Sequence, residues 1–302
     1  MVEIARRTGF ISRYCVNGTE MLKEGTAITP NFWRAPTDND FGANLQTRYR
    51  VWNNPTFILK GNNMMRQRQA NGARPQAPQG PRELPVTYSV ENGIAKITCK
   101  LEMVDLADLT LQYEINNQGA IKVTQTMKAD PAKENISNLF RFGMQIVMPK
   151  SFERVIYYGR GPIENYSDRK TVTDLGIYSQ SVDEQFYPYI RPQENGTKSD
   201  IRWWKMLNAA GNGIEITSED AFSASALHYT IESLDEGESK QNGHSQEVPV
   251  ADLTNVCVDK VQMGLGCVTS WGALPLDEYM LPYKDYEFTY LISPVKNYID
   301  ND

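Results

Sequence analysis

The sequence predicts an all-β protein in which two large antiparallel sheets pack face to face. Apolar and polar residues alternate with a period of two in many short runs, and Gly, Asn and Pro separate these runs. No helical period continues over the length that a stable helix needs. A period of two places alternate side chains on opposite faces of a strand, so each sheet has one apolar face to bury against another.

Two hairpins are predicted in the first half of the chain. Residues 86–101 alternate on both sides of Asn92-Gly93, the dipeptide that most strongly favours a two-residue hairpin turn. Residues 109–125 alternate in the same way on both sides of a polar segment at 116–119. Both pairs are therefore expected to form adjacent antiparallel strands.

The remaining elements follow from the same pattern. Further strands are predicted at residues 139–148, 155–158, 201–207, 213–217, 223–230, 255–263 and 286–293. Short helical turns are predicted at 45–52 and 171–178. Residues 62–84, rich in Pro, Gln and Arg, are expected to form a long surface loop within a single domain that spans residues 1–302.

Composition excludes several classes of partner. The formal net charge is −6 and no basic stripe is present, so nucleic acid is not expected as a partner. No apolar run approaches the roughly 20 residues that cross a bilayer, and the first residues lack the apolar core of a signal peptide. The four cysteines are scattered, which favours buried free thiols over a metal site. These observations predict a soluble chain and leave its compartment open between cytoplasm and periplasm.

Four segments, taken in order, resemble the C-terminal domain of glycoside hydrolase family 2 β-galactosidases, also called the β-galactosidase small-chain domain. They are Asn31-Phe-Trp-Arg-Ala-Pro-Thr-Asp-Asn-Asp40, Tyr157-Tyr-Gly-Arg-Gly-Pro-Ile-Glu-Asn-Tyr-Ser-Asp-Arg169, Tyr187-Pro-Tyr-Ile-Arg-Pro-Gln-Glu-Asn-Gly196 and Gln262-Met-Gly-Leu-Gly-Cys-Val-Thr-Ser-Trp-Gly272. The resemblance covers nearly the whole chain. It implies a supersandwich of the galactose-mutarotase-like kind.

The resemblance also implies a division of labour with another domain. In that family two glutamates of a preceding (β/α)₈ barrel hydrolyse terminal β-D-galactosides with retention, and the C-terminal domain packs on the barrel and completes the sugar pocket. The family's acid/base glutamate follows an asparagine, and this sequence contains no Asn-Glu dipeptide. No catalytic residue is therefore expected in this chain, and the isolated fragment is predicted to be inactive. No cofactor is expected in this domain, although parent enzymes of the family often use Mg and Na bound elsewhere.

Trp271 is the residue expected to contact sugar. It lies in the segment that resembles the family loop whose tryptophan reaches into the barrel's active site, and Gly and Pro on both sides favour an exposed loop. A flat indole matches the apolar face of a pyranose. One difference is that Cys267-Val-Thr-Ser270 replaces the acidic residues that family members often have before this tryptophan. For the other four tryptophans a core position is preferred.

Several polar residues are candidates for supporting the site or for an inter-domain surface. They are Arg34, Asp38, Asn39, Asp40, Glu164, Asn165, Arg169, Glu194 and Asn195. Local caps and charge-assisted hydrogen bonds that fix loops are the preferred interpretation of these residues, and direct ligand contact is the alternative.

Two functions of other classes remain open. A self-standing aldose epimerase needs a general acid and a general base, and the chain offers only His228 and His244 as imidazoles. A non-catalytic carbohydrate-binding module needs several exposed aromatic side chains on one face, which tyrosines are able to supply.

Overall fold

The computed structural model describes residues 1–60, 85–266, 269 and 271–299. Within these residues sixteen strands account for most of the regular structure. In chain order they are β1 (Val2–Ile4), β2 (Ile11–Val16), β3 (Thr19–Glu20), β4 (Thr29–Asn31), β5 (Phe57–Leu59), β6 (Val86–Glu91), β7 (Ile94–Met103), β8 (Ala107–Ile115), β9 (Ile121–Ala129), β10 (Arg141–Met148), β11 (Arg154–Gly161), β12 (Asp174–Ser181), β13 (Lys198–Leu207), β14 (Gly213–Leu227), β15 (Thr254–Gln262) and β16 (Tyr286–Val295).

The helices in the described residues are short. The α-helices are α1 (Asp38–Gly42), α2 (Leu45–Arg48) and α3 (Ile231–Leu234), and single 3₁₀ turns lie at Arg50–Trp52, Asp183–Gln185, Ser245–Glu247 and Asp277–Tyr279. None of the described helices is long and apolar enough to cross a membrane. The helical turn predicted at 45–52 is confirmed.

All strand pairs in the described residues are antiparallel, and β14 connects the two layers. On one side β14 pairs with β13 in both of its halves. On the other side its first half pairs with β16, which leads to β9, β8 and β7, and its second half pairs with β15, which leads to β10 and β4. The strands thus form one curled, branched sheet, with a smaller sheet of β1, β2 and β3 beside it. The predicted all-β class and the large antiparallel supersandwich are confirmed.

The core lies between the layers and follows the period of two in the sequence. Leu109, Leu111 and Tyr113 of β8 are fully buried at alternate positions, and Ile121 and Val123 of β9 are buried in the same way. Burying an aliphatic side chain of this size stabilises a fold by about 1.5–3 kcal/mol relative to leaving it in water. The alternation that predicted these strands is therefore also what holds them in register.

The turn of the first predicted hairpin has the geometry that its residues favour. Asn92 and Gly93 adopt φ angles of 51° and 76° between β6 and β7, as a tight hairpin turn requires. In the second hairpin, the side-chain oxygen of Asn116 accepts hydrogen bonds from the backbone N–H groups of Gln118 and Ala120. Both hairpin predictions are confirmed.

Two element predictions were wrong. Residues 171–178 do not form a helical turn, because Asp174–Ser181 is an edge strand whose inward side chain, Tyr178, packs on Tyr157 with ring centroids 5.4 Å apart. Residues 213–217 and 223–230 are not separate strands. Residues 218–221 between them continue β14 through an irregularity in its register with β13, between Thr217 and Phe222. The loop predicted at 62–84 lies outside the described residues.

Candidate functional site

Arg34 links the first of the four segments quoted above, residues 31–40, to the fourth, residues 262–272. Its side chain is fully buried, and it donates to both carboxylate oxygens of Asp40 at 3.1 and 2.8 Å. The same guanidinium donates to the backbone carbonyls of Met263 and Gly264 at 2.7 and 3.2 Å. A planar guanidinium with five N–H groups is suited to holding a carboxylate and two carbonyls at once. The buried charge is thereby paired while it fixes the start of the segment after β15.

Helix α1 places the neighbouring polar residues. Thr37 caps the helix in a reciprocal capping box with Asp40, so this carboxylate serves both the cap and Arg34. The backbone N–H of Asp38 donates to the Gln193 side chain at 3.1 Å, and the Asn39 side chain donates to the carbonyl of Leu265 at 3.0 Å. The first segment is thus linked to both the third and the fourth.

Asp168 binds the backbone segment that follows β15, next to the carbonyls that Arg34 binds. Its two carboxylate oxygens accept hydrogen bonds from the N–H groups of Leu265 at 3.1 Å and Gly266 at 2.5 Å. A Cβ on Gly264 or Gly266 would lie 2.5 or 2.7 Å from the Oδ2 atom of Asp168. Glycine at these two positions therefore provides the space in which the carboxylate sits.

Glu164 is the centre of a second polar cluster. Its carboxylate accepts hydrogen bonds from Arg169 at 2.5 Å, from the backbone N–H of Gly196 at 2.8 Å and from the hydroxyl of Tyr189. Burial, together with the nearby Glu164 carboxylate, raises the pKa of Tyr189 to about 12. The phenol therefore stays protonated, and able to donate to Glu164, to a higher pH than an ordinary tyrosine.

Asn165 and Asn195, which follow Glu164 and Glu194 in the sequence, are buried and hydrogen-bond to nearby backbone groups. The Asn165 amide donates to the carbonyls of Arg160 and Ile163, and its oxygen accepts from both the backbone and the hydroxyl of Ser199. Asn195 accepts from the backbone N–H of Tyr187. Each asparagine satisfies backbone groups that would otherwise be buried without a partner.

Glu194 belongs to a buried charge cluster beneath the site. Its carboxylate accepts from Arg141 at 2.9 Å, and Asp259 lies 3.8 Å from the Nε atom of the same guanidinium. The side chains of Arg141 and Asp259 are each 1% exposed. Burial raises the pKa of Asp259 to about 7, although Arg141 acts in the opposite direction. Three ionisable groups thus share a space where charge is costly.

Trp271 lies at the tip of a loop that follows β15. A hydrogen bond from the N–H of Gly264 to the carbonyl of Tyr279, at 3.0 Å, closes the base of this loop, which we call the 264–279 loop. Trp271 is 89% exposed and Leu276 is 68% exposed on the same loop. The indole of Trp271 is therefore open to contact with another molecule.

The remaining tryptophans and cysteines mostly occupy the core. Trp33, Trp52 and Trp204 are buried, as expected. Trp203 is not: it is half-buried on the outer face of β13, because the Lys205 ammonium lies 3.9 Å from its ring centroid and covers it there. The expectation of buried free thiols is met by Cys15, Cys99 and Cys257, whereas Cys267 lies outside the described residues.

The histidines lie in different environments. His228 is 3% exposed, and its Nδ1 atom lies 2.8 Å from the carbonyl of Leu253. His244 is exposed and precedes a 3₁₀ turn. The Nε2 atom of His228 lies 4.0 Å from a carboxylate oxygen of Asp183, although the imidazole itself is buried.

Sequence reasoning did not single out Asp168, Arg141 or Asp259. Asp168 counted only as one of the charged residues that flank Glu164-Asn165 and Glu194-Asn195, yet it holds the backbone of Leu265 and Gly266. The Gly-x-Gly spacing at Gly264 and Gly266 was a usable signal, because two glycines one residue apart often mark close approach by another group. The pairing of Arg141 with Asp259 depends on the register of β10 and β15, which periodicity alone does not fix.

Comparison with known proteins identifies the family of this chain. The family model described as beta galactosidase small chain matches residues 1–292. A β-galactosidase of Priestia megaterium is 32% identical over 96% of this chain and 25% of its own length, and one of Lactobacillus delbrueckii subsp. bulgaricus is 32% identical over 87% of this chain and 23% of its own length.

A solved structure of a galactose mutarotase related enzyme from Lactobacillus acidophilus is 9% identical, covers 98% of this chain and 94% of its own, and has a TM-score of 0.46. The chain spans about a quarter of the length of the curated relatives that it matches. Because the family model matches almost the whole sequence, the chain belongs to the β-galactosidase small-chain family.

Proposed function

We propose that this chain is the part of a β-galactosidase that completes the sugar pocket, in an enzyme that hydrolyses terminal β-D-galactosides with retention. The catalytic glutamates belong to a barrel domain elsewhere in that protein. The observation that carries the proposal is Trp271, an indole 89% exposed at the tip of a loop whose base is held by Arg34 and Asp168. A positioned indole offers an apolar face for the C–H face of a galactoside.

The carboxylates of the site support the view that cleavage takes place elsewhere. A retaining glycosidase needs two carboxyl groups about 5 Å apart on either side of the scissile bond. Glu194 and Asp259, which share Arg141, are 6% and 1% exposed, and a sugar has no access to them. Asp40 is 2% exposed and engaged by Arg34. We therefore expect the isolated chain to be inactive.

Exposed apolar residues at this end of the sandwich support packing on a second domain. Ile163 is 55% exposed, Ile190 is 81% exposed, and Tyr187 is 53% exposed, all in the two segments that surround Glu164. Packing on a second domain would remove these side chains, together with Trp271 and Leu276, from water. The partner that we propose is the catalytic barrel of the same protein.

The epimerase alternative is less well supported. Ring opening of an aldose requires an acid and a base within reach of the substrate, whereas His228 is buried and bonded to a backbone carbonyl. The alternative of a binding module is tested by calorimetry with galactose. We expect binding weaker than about 1 mM for the isolated chain, because one indole supplies only part of a site.

The test of the proposed function uses the full β-galactosidase that contains this chain. Trp271→Ala is expected to raise the KM for a β-galactoside about two- to tenfold, since aromatic contacts are worth about 0.5–1.5 kcal/mol. Tyr88→Ala is the matched control, because Tyr88 is an exposed aromatic side chain, at 83%, on β6 and not on the 264–279 loop. Unchanged kcat and KM in Trp271→Ala would contradict the proposal.

A further inference from the structure

We propose that Asp168 is a positioning residue for Trp271, acting through the backbone at the base of the 264–279 loop. The proposal rests on the function proposed above and identifies a residue on which the sugar contact depends. Asp168 lies in a different part of the chain from the loop and reaches it through the side chain alone. Its two carboxylate oxygens accept from two successive backbone N–H groups, those of Leu265 and Gly266.

A tight turn presents this carboxylate to the loop. The backbone N–H and carbonyl groups of Tyr166 and Arg169 bond to each other at 3.1 and 2.9 Å, which leaves Ser167 and Asp168 at the tip of the turn. The ring of Tyr166 is buried beneath the turn, and Ser167 donates to the carbonyl of Gln262 at 3.4 Å. The position of Asp168 is therefore fixed by the body of the sandwich.

The four residues from Met263 to Gly266 are held through nearly every backbone group. The N–H of Met263 bonds to Phe140, and the carbonyls of Met263 and Gly264 bond to Arg34. The carbonyl of Leu265 accepts from Asn39, whereas the N–H groups of Leu265 and Gly266 depend on Asp168. Asp168 thus binds the last two backbone N–H groups of these four residues.

The chemistry requires a carboxylate at this position. An ionised carboxylate accepts through both oxygens, whereas an amide of the same shape has one acceptor oxygen and an NH₂ group that would face a backbone N–H. Charge-assisted hydrogen bonds to backbone N–H groups are also stronger than neutral ones. The glycines at 264 and 266 match this requirement, because any side chain there would displace the carboxylate.

The first test is spectroscopic and does not depend on sugar binding. In Asp168→Asn we expect hydrogen exchange to accelerate at least about tenfold at one of the Leu265 and Gly266 amides, since the asparagine side chain keeps only one acceptor oxygen for the two N–H groups. We also expect the indole N–H signal of Trp271, assigned with Trp271→Phe, to shift. Asp174→Asn is the control, because Asp174 is an exposed carboxylate on the edge strand β12. An unchanged indole signal and unchanged exchange in Asp168→Asn would overturn the proposal.

The second test is a double-mutant cycle in the full β-galactosidase. If Asp168 acts through the indole, Asp168→Asn raises KM by itself but adds nothing in the Trp271→Ala background. Gly266→Ala, which crowds the carboxylate from the opposite side, is expected to behave like Asp168→Asn. Additive effects of Asp168→Asn and Trp271→Ala would refute the positioning role. A KM that does not respond to Trp271→Ala would instead refute the proposed function and leave the spectroscopic test of Asp168 intact.

Discussion

Replacing Arg34 by methionine tests how much the buried ion pair contributes to the fold. Arg34 is fully buried and Asp40 is 2% exposed, and their two hydrogen bonds are 3.1 and 2.8 Å long. Removing one partner leaves the other charge buried without compensation, which costs about 3–5 kcal/mol. The carbonyls of Met263 and Gly264 also lose their donor, at about 1 kcal/mol each, which places the expected loss near the upper end.

Equilibrium unfolding in guanidinium chloride, followed by tryptophan fluorescence, measures this loss as a shift of the midpoint at constant slope. Arg13→Met is the matched control, because the partners of Arg13 on the small sheet, Glu3 and Glu20, are solvent-exposed and its removal should change stability little. The double variant Arg34→Met with Asp40→Leu should regain part of the loss, since no buried charge remains unpaired. If Arg34→Met costs no more than Arg13→Met, the reasoning about burial is wrong.

Two further predictions concern pH dependence and turn geometry. Because burial raises the pKa of Asp259 from 3.8 to about 7, the native state holds a proton that the unfolded chain releases, and stability should fall as pH rises from 4 to 7, by up to about 4 kcal/mol. Asp259→Asn should remove this slope in unfolding experiments at pH 5 and pH 8, and an equal slope in both proteins would contradict the assignment. Gly93→Val should cost about 1–2 kcal/mol, since φ is 76° at Gly93 and nothing lies within 4 Å of an added Cβ, so backbone strain is the only cause. A loss in the denaturation midpoint worth less than about 0.5 kcal/mol would show that the turn does not need its left-handed residue.

Local patterns were sufficient for most strands. The Asn92-Gly93 turn and the alternation in β8 and β9 are properties of neighbouring residues, and the structure retains them. Residues 171–178 were assigned wrongly because the edge strand that begins at Asp174 exposes most of its side chains, so its sequence shows little apolar alternation. Its identity comes from pairing with β11, which is information that the segment itself does not contain.

In the candidate site too, contacts between sequence neighbours are predictable from the sequence, whereas contacts between residues far apart in the sequence are not. The cap of α1 by Thr37 and Asp40 is local, and a short polar cluster predicts it. The contacts of Asp168 with Leu265 and Gly266, nearly a hundred residues away in sequence, depend on how β11 and β15 are arranged. The motifs indicated which segments matter, whereas only the folded chain shows which side chains hold which backbone groups.

The most direct test is to measure whether this 302-residue chain, purified alone, releases chromophore from a nitrophenyl β-galactoside. We expect no hydrolysis above the uncatalysed rate, and activity only when the chain is part of the full enzyme. Turnover by the isolated chain, unaffected by Trp271→Ala, would show that the catalytic carboxylates lie in this domain and would contradict the division of labour proposed for it.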